Sequence, residues 1–241
     1  MSKCLLVIIP AYNEAGSITD VIEHVHISVP QADVVVVDDG STDATAQLAG
    51  QAGAMLLRLP VNLGIGGAVQ TGYRFAVRQG YDWIARLDGD GQHDPAQIAA
   101  LTEPIRAGRA DVVIGSRYLT VGGFRASRTR RAGISLFAAI VSTLTHCTFT
   151  DVTSGFQAAN GEAAAFLAEH CPSDYPEIEG LVLLCRAGFR VVEVPVTMQA
   201  RTAGRSSIRP WHVLYYVVKV LLAILVAFLR QTPRRAERGL P

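Results

Sequence analysis

Asp88 and Asp90 stand two residues apart in Asp88-Gly89-Asp90-Gly91-Gln92, directly after the apolar run Trp83–Leu87. Two carboxylates with one residue between them at the end of a strand can aim their oxygens at one hard cation. Such a cation bridges and neutralises a diphosphate, making it a better leaving group. Taken alone, the segment also reads as a solvated acidic turn. Its context weighs for the chemical reading.

Two more polar loops follow earlier apolar runs. Leu5–Ile9 leads into Pro10-Ala11-Tyr12-Asn13-Glu14, and Val34–Val37 leads into Asp38-Asp39-Gly40-Ser41-Thr42-Asp43. Three polar loops at successive strand ends converge on one crevice. A basic group lies later in the chain: Gly115-Ser116-Arg117, then Arg125, Arg128, Arg130 and Arg131, with Ser135 four residues on. Arginine forks suit phosphate oxygens. Residues 1–103 hold twelve acids and five bases, a net of −7, while the rest holds nine acids and seventeen bases, a net of +8. The split suggests an acidic half that binds a metal and a basic half that meets phosphates or anionic lipid; arginines on a solvated surface are the alternative.

The elements that must position these residues are readable from periodicity. Strands are expected at Leu5–Ile9, Val34–Val37, Ala54–Leu59, Trp83–Leu87, Asp111–Gly115 and Val191–Val196. Helices are expected from Ser17 to Val29, over Thr42–Ala52, from Gly64 to about Gln79, over Pro95–Ala107 and from about Thr129 to Thr145. Alternation of strand and helix over the first 115 residues is the pattern of a parallel sheet covered on both faces. The length of 241 residues suits one such domain with a short appendage. Half the residues are hydrophobic, which argues against overall disorder. The four cysteines form no CxxC pair, so neither a zinc site nor a redox pair is expected. Leu5–Ile9 is too short for a signal peptide.

The PxYNE, VDDGSTD, NxGxGGA, DxDGQHxP and GSR patterns occur in order between residues 10 and 117, and the resemblance they carry extends over about residues 4–209. Together they resemble the family-2 inverting glycosyltransferases of GT-A fold, a Rossmann-like, mostly parallel sheet with helices on both faces. Within that group the chain is similar to dolichol-phosphate mannosyltransferases and bacterial polyprenyl-phosphate glycosyltransferases. The resemblance implies that Pro10, Tyr12, Glu14, Val37 and Asp39 line the nucleoside pocket, with Asp39 bonding the base and Tyr12 packing on it. It implies that Asp88, Asp90 and Gln92 hold Mg²⁺ or Mn²⁺, with Gly89 beside the nucleotide sugar. Arg117, Arg131 and Ser135 would hold a lipid phosphate, and Arg117 would act in catalysis with Asp88, Asp90 and Arg201. Arg201-Thr202-Ala203-Gly204-Arg205-Ser206-Ser207 resembles the loop that closes over the donor diphosphate, although Ser207 replaces the family lysine; Arg205 or Arg209 would then supply the charge. Asp151-Val152-Thr153-Ser154-Gly155-Phe156-Gln157 resembles the acceptor-side segment.

Asn62-Leu63-Gly64-Ile65-Gly66-Gly67-Ala68 imitates a dinucleotide fingerprint, but Val69 stands where its last glycine is needed. It reads as a helix start near the sugar nucleotide, or as a tight turn. His93 is a candidate contact to the diphosphate.

Val213–Leu229 is almost wholly apolar, with Lys219 inside it and Arg230, Arg234, Arg235 and Arg238 after it. Seventeen residues barely cross a bilayer, and a central lysine is costly there. Trp211, Tyr215 and Tyr216 suit the interface. The expected division is a catalytic domain over 1–209 and a membrane-interfacial tail over 210–241. A helix in the headgroup layer, or against a small membrane-protein partner, ranks before a true span and a core helix.

The implied activity is inverting transfer of a hexose from a nucleotide diphosphate sugar, of GDP-mannose or UDP-glucose type, to a polyprenyl phosphate (undecaprenyl or dolichyl). The implied location is the cytoplasmic face of the membrane, with no nucleic-acid partner. A phosphate acceptor is already largely ionised at neutral pH and needs no strong base. The rival acceptor, a sugar hydroxyl, needs a carboxylate base, for which Asp151, Asp174 and Glu177 are candidates. A binding protein without turnover is a third reading, disfavoured by the intact pair of aspartates.

Overall fold

The computed structural model describes residues 3–119, 128–199 and 213–230. The chain begins β1 (Lys3–Ala11), α1 (Ile18–Ser28), β2 (Asp33–Asp38), α2 (Thr45–Gln51), β3 (Met55–Arg58), α3 (Gly64–Gln79) and β4 (Tyr81–Arg86). A 3₁₀ turn over Pro95–Gln97 leads into α4 (Ile98–Arg106), followed by β5 (Val112–Ser116) and α5 (Arg128–Thr145). Next come β6 (Gln157–Asn160), α6 (Gly161–His170), α7 (Pro176–Arg186), β7 (Val191–Pro195) and α8 (Val213–Leu229).

Among the described residues seven strands form one sheet in the order β3-β2-β1-β4-β6-β5-β7. Only β6 runs antiparallel, between β4 and β5. Because side chains alternate across a strand, Leu6 and Ile8 of β1 enter one core while Leu5, Val7 and Ile9 enter the other. The first core is closed by α3, α5, α6, α7 and α8, the second by α1, α2 and α4. This is the expected α/β fold with helices on both faces.

Three elements go beyond the sequence expectation: β6, α6 and α7. The strand β6 reads Gln-Ala-Ala-Asn, with no β-branched or large apolar residue to mark it. Asn160 then starts α6 by accepting from the Ala163 N–H at 2.8 Å. Ser17 stands at the start of α1 as expected, yet its hydroxyl bonds the Gly89 carbonyl at 2.7 Å instead of capping the helix.

Helix α8 sets one face against α7 and α5, burying Val220, Ile224 and Ala227. The opposite face exposes Val218, Leu222, Leu225, Val226 and Leu229. Lys219 pairs with Asp174 at 2.9 Å and lies over the Tyr175 ring. Among the described residues no helix is long and apolar enough to cross a membrane.

Candidate active site

The carboxyl ends of β1, β2 and β4 lie side by side, with Pro10 opposite Val37 and Ala11 opposite Asp38. The loops leaving them are tied together. The Asn13 N–H donates to Ser41 Oγ at 2.9 Å, and Asn13 Oδ1 accepts from the Thr42 N–H at 2.9 Å. Asn13 has a φ of 56°, a left-handed conformation that asparagine tolerates better than most residues. The Glu14 N–H donates to Thr45 Oγ1 at 2.8 Å. Asp38 is fully buried and closes the second loop by accepting from the Ser41 N–H at 3.1 Å.

Asp39 points the other way. Its two carboxylate oxygens accept from the backbone N–H groups of Leu63 and Gly64 at 2.7 and 2.9 Å, which fixes the start of α3. Gly40 permits this approach: it has φ +71°, and a Cβ there would stand 2.9 Å from the Asn62 nitrogen.

The acidic turn is held from three sides. The Asp88 N–H donates to Nδ1 of His93 at 3.1 Å, and the buried His93 ring stacks on Phe156 at 5.0 Å. Burial pushes the His93 pKa below its ordinary value. A neutral ring accepting at Nδ1 carries its proton on Nε2. His93 therefore supports the turn from behind instead of reaching a diphosphate. Asp90 Oδ1 accepts from the Gln92 N–H at 3.0 Å, closing the turn. Gly155 lies against the Asp88 carboxylate, where a Cβ would come within 2.8 Å of both oxygens.

Beneath Gly155 sits Arg86, one of the largest fully buried side chains. Its Nε donates to the Gly155 carbonyl at 2.9 Å and its Nη2 to Glu177 Oε1 at 2.5 Å. Burial opposes its charge most strongly, but Glu177, Tyr73, Asp88 and Cys171 together outweigh burial and raise its pKa. The importance of Arg86, Gly155 and Glu177 to this arrangement was missed by sequence reasoning. A charged residue inside the apolar run Trp83–Leu87 was the available signal.

These pieces surround one cleft of about 570 Å³, lined by Pro10, Tyr12, Glu14, Asp39, Gly64, Asp88, Gly89, Asp90, Thr153, Gly155 and Glu177 among others. Tyr12 is 47% exposed and so offers a ring face to a ligand. The side chain of Val37 lies instead in the core, fully buried. Among the described residues no three Asp, Glu, His or Cys side chains come together as a self-sufficient metal site. Asp88 and Asp90 nevertheless fit a Mg²⁺-type ion, which is commonly held by one or two carboxylates and completed by substrate phosphates and water. The space that a Cβ on residue 155 would fill leaves the Asp88 oxygens open to the cleft.

On the basic side, Arg117 and Arg131 converge on the Tyr118 ring, their guanidinium carbons 5.7 and 5.8 Å from its centroid. Arg117 is 5% exposed and gives Nε and Nη2 to Asp151 at 2.5 and 2.7 Å, and Nη2 also to Thr153 Oγ1 at 2.6 Å. Burial opposes its charge, but the bonds to Asp151 hold its pKa above the ordinary value. Glu193 of β7 accepts from the N–H groups of Thr150 and Asp151, anchoring the same loop. Arg131 and Ser135 are exposed on α5. Arg125, Arg201, Arg205 and Arg209 lie outside the described residues, as do the side chains of Arg128 and Arg130.

The three candidate bases are all engaged. Asp151 is fully buried against Arg117, Asp174 pairs with Lys219, and Glu177 pairs with Arg86.

The model of the family described as Glycosyl transferase family 2 matches residues 6–152. The chain is 34% identical to an undecaprenyl-phosphate mannosyltransferase of Micrococcus luteus, over 84% of this chain and 86% of that protein. It is 34% identical to a polyprenol monophosphomannose synthase of Mycolicibacterium smegmatis, over 83% of this chain and 79% of that protein. Among solved structures it is similar to glucosyl-3-phosphoglycerate synthase of Mycobacterium tuberculosis in complex with Mn²⁺ and UDP-glucose. That similarity has a TM-score of 0.69 at 25% identity, covering 94% of this chain and 79% of that one.

Proposed function

The chain belongs to glycosyl transferase family 2, and from that premise we propose that it moves a hexose from a nucleotide diphosphate sugar to a polyprenyl phosphate, with inversion at the anomeric carbon. The observation that carries this reading is the single cleft in which the loops after β1, β2 and β4 meet Asp88 and Asp90. The names of the two relatives supply the acceptor class.

Tyr12 and Asp39 hold the nucleoside end of the donor. Asp88 and Asp90, with Gln92 on the same turn, hold a divalent ion, Mg²⁺ or Mn²⁺. When bound, that ion offsets the charge of the diphosphate and favours its departure. The acceptor brings its own nucleophile, a phosphate oxygen, so no side chain has to remove a proton. Two of the carboxylates near the cleft, Glu177 and Asp151, are already paired with arginines. Arg131 and Ser135 on α5, with Arg117 behind Tyr118, orient the acceptor phosphate.

The exposed apolar row on α8, followed in sequence by arginines, supports a place at an anionic membrane surface. The enzyme would work there on the cytoplasmic side, where a lipid phosphate and a soluble nucleotide sugar meet.

The test is to incubate the protein with a panel of radiolabelled nucleotide sugars and polyprenyl phosphate, with and without Mg²⁺ or Mn²⁺. Metal-dependent, organic-soluble label supports the reading. Label that appears only on a soluble saccharide acceptor contradicts it.

A further inference from the structure

Glu177 lies in the first turn of α7 and faces the cleft with one-fifth of its side chain exposed. Its Oε1 is occupied by Arg86. Arg86 in turn holds the carbonyl of Gly155, the residue that lies against the Asp88 carboxylate. The chain of contacts Asp88, Gly155, Arg86, Glu177 therefore sets a carboxylate beside the end of the cleft where the aspartates stand.

The chemistry of that place is restrictive. Both phosphorylated partners of the reaction are anions, and a carboxylate repels them. A carboxylate that is not one of the aspartates of the acidic turn is instead suited to uncharged hydroxyl donors. In a nucleotide sugar the diphosphate stands between the nucleoside ribose and the transferred sugar; with the nucleoside held at Tyr12 and Asp39, the hydroxyls beyond the diphosphate are those of the transferred residue. A glutamate needed only to balance Arg86 would not have to open onto the cleft.

We infer that Glu177 is a specificity-determining residue for the donor sugar, its second carboxylate oxygen accepting a hydrogen bond from a hydroxyl of the hexose while Arg86 fixes the first. The inference rests on the nucleotide-sugar reading given above. It assigns Glu177 to sugar recognition and not to proton abstraction.

The test is calorimetric, with Mg²⁺ present and two probe pairs: UDP against UDP-glucose, and GDP against GDP-mannose. Glu177→Gln keeps an oxygen for Arg86 but can place an amide N–H where the acceptor stood. It should bind the nucleoside diphosphate within twofold of the wild type and the matching nucleotide sugar about tenfold more weakly. Glu177→Asp keeps the charge but withdraws the oxygens, and should show the same split should the first variant fail to fold. Donor analogues lacking one hydroxyl each should weaken wild-type binding at one position, and Glu177→Gln should be insensitive to the loss of that same hydroxyl. Equal weakening of nucleoside diphosphate and nucleotide sugar, or no weakening of either, overturns the inference. If the wild type binds neither UDP nor GDP, the nucleotide-sugar reading itself falls.

Discussion

Gly155 lies so close to Asp88 that a Cβ on it would stand 2.8 Å from both carboxylate oxygens. The loop that carries Gly155 also carries Asp151 and Thr153, the partners of Arg117. One short segment thus touches the acidic turn on one side and the basic group on the other.

Gly155→Ala should displace the Asp88 carboxylate while leaving the backbone path available. A displacement on the order of 1 Å at such a site costs roughly a hundredfold in rate. Turnover should fall by about that factor while thermal melting changes little. Near-normal turnover would mean that the Asp88 position is not critical.

Asp90→Ala removes one of the two carboxylates proposed to hold the divalent ion, and with it the acceptor of the Gln92 N–H. Losing the hydrogen bond alone should cost only about 1 kcal/mol of stability. Transfer should nevertheless be abolished, and chelation of divalent ions should abolish it in the wild type too. Activity and melting measured on the same samples separate the two effects.

Arg117 and Arg131 should behave differently although they share the Tyr118 ring. Arg117→Ala leaves Asp151 charged and fully buried, which should cost roughly 3–5 kcal/mol of stability as well as activity. Arg131→Ala removes an exposed side chain and should leave melting unchanged. Its signature is a raised KM for polyprenyl phosphate with little change for the nucleotide sugar. Equal stability loss in the two variants would contradict this division.

Much of this was legible in sequence, and the exceptions have physical causes. Parallel strands such as Val34–Val37 are continuous apolar runs because both their faces are buried, so they declare themselves. The loops after them line the cleft; Asp88 and Asp90 stood out by residue type and spacing, whereas Tyr12 and Asp39 were named through the family resemblance. The strand β6 was invisible because alanines between two polar residues carry no strand signal. Glu177 was visible only as a candidate base, since its partner Arg86 stands 91 residues earlier and nothing local joins them. The assignment of His93 to the diphosphate failed for a related reason: the ring turns inward onto Phe156, a neighbour supplied by a distant loop.

The two faces of α8 should separate cleanly. Replacing exposed Leu222 and Val226 by serine should weaken flotation with anionic liposomes and leave melting nearly unchanged. Replacing buried Ile224 by alanine should instead cost roughly 2–5 kcal/mol of stability. Undiminished flotation of the double-serine variant would show that this face does not meet the membrane.

Burial pushes the Cys171 thiol up to about 12. An ordinary thiol gains thiolate, and so alkylation rate, as pH rises from 7 to 9. Cys171 should stay protonated throughout that window and resist iodoacetamide, whereas exposed Cys4 is labelled. Mass mapping of the alkylated protein checks this; equal labelling of both would place Cys171 outside the packed region behind α3.

The central claim is that the sugar is joined to a phosphate oxygen, and phosphorus NMR of the acceptor during turnover tests it most directly. With nucleotide sugar, divalent ion and enzyme present, the polyprenyl phosphate resonance should move from that of a monoester to that of a diester, and it should not move with Asp90→Ala. A phosphate that remains a monoester while the donor sugar is consumed and appears on a hydroxyl would contradict the account.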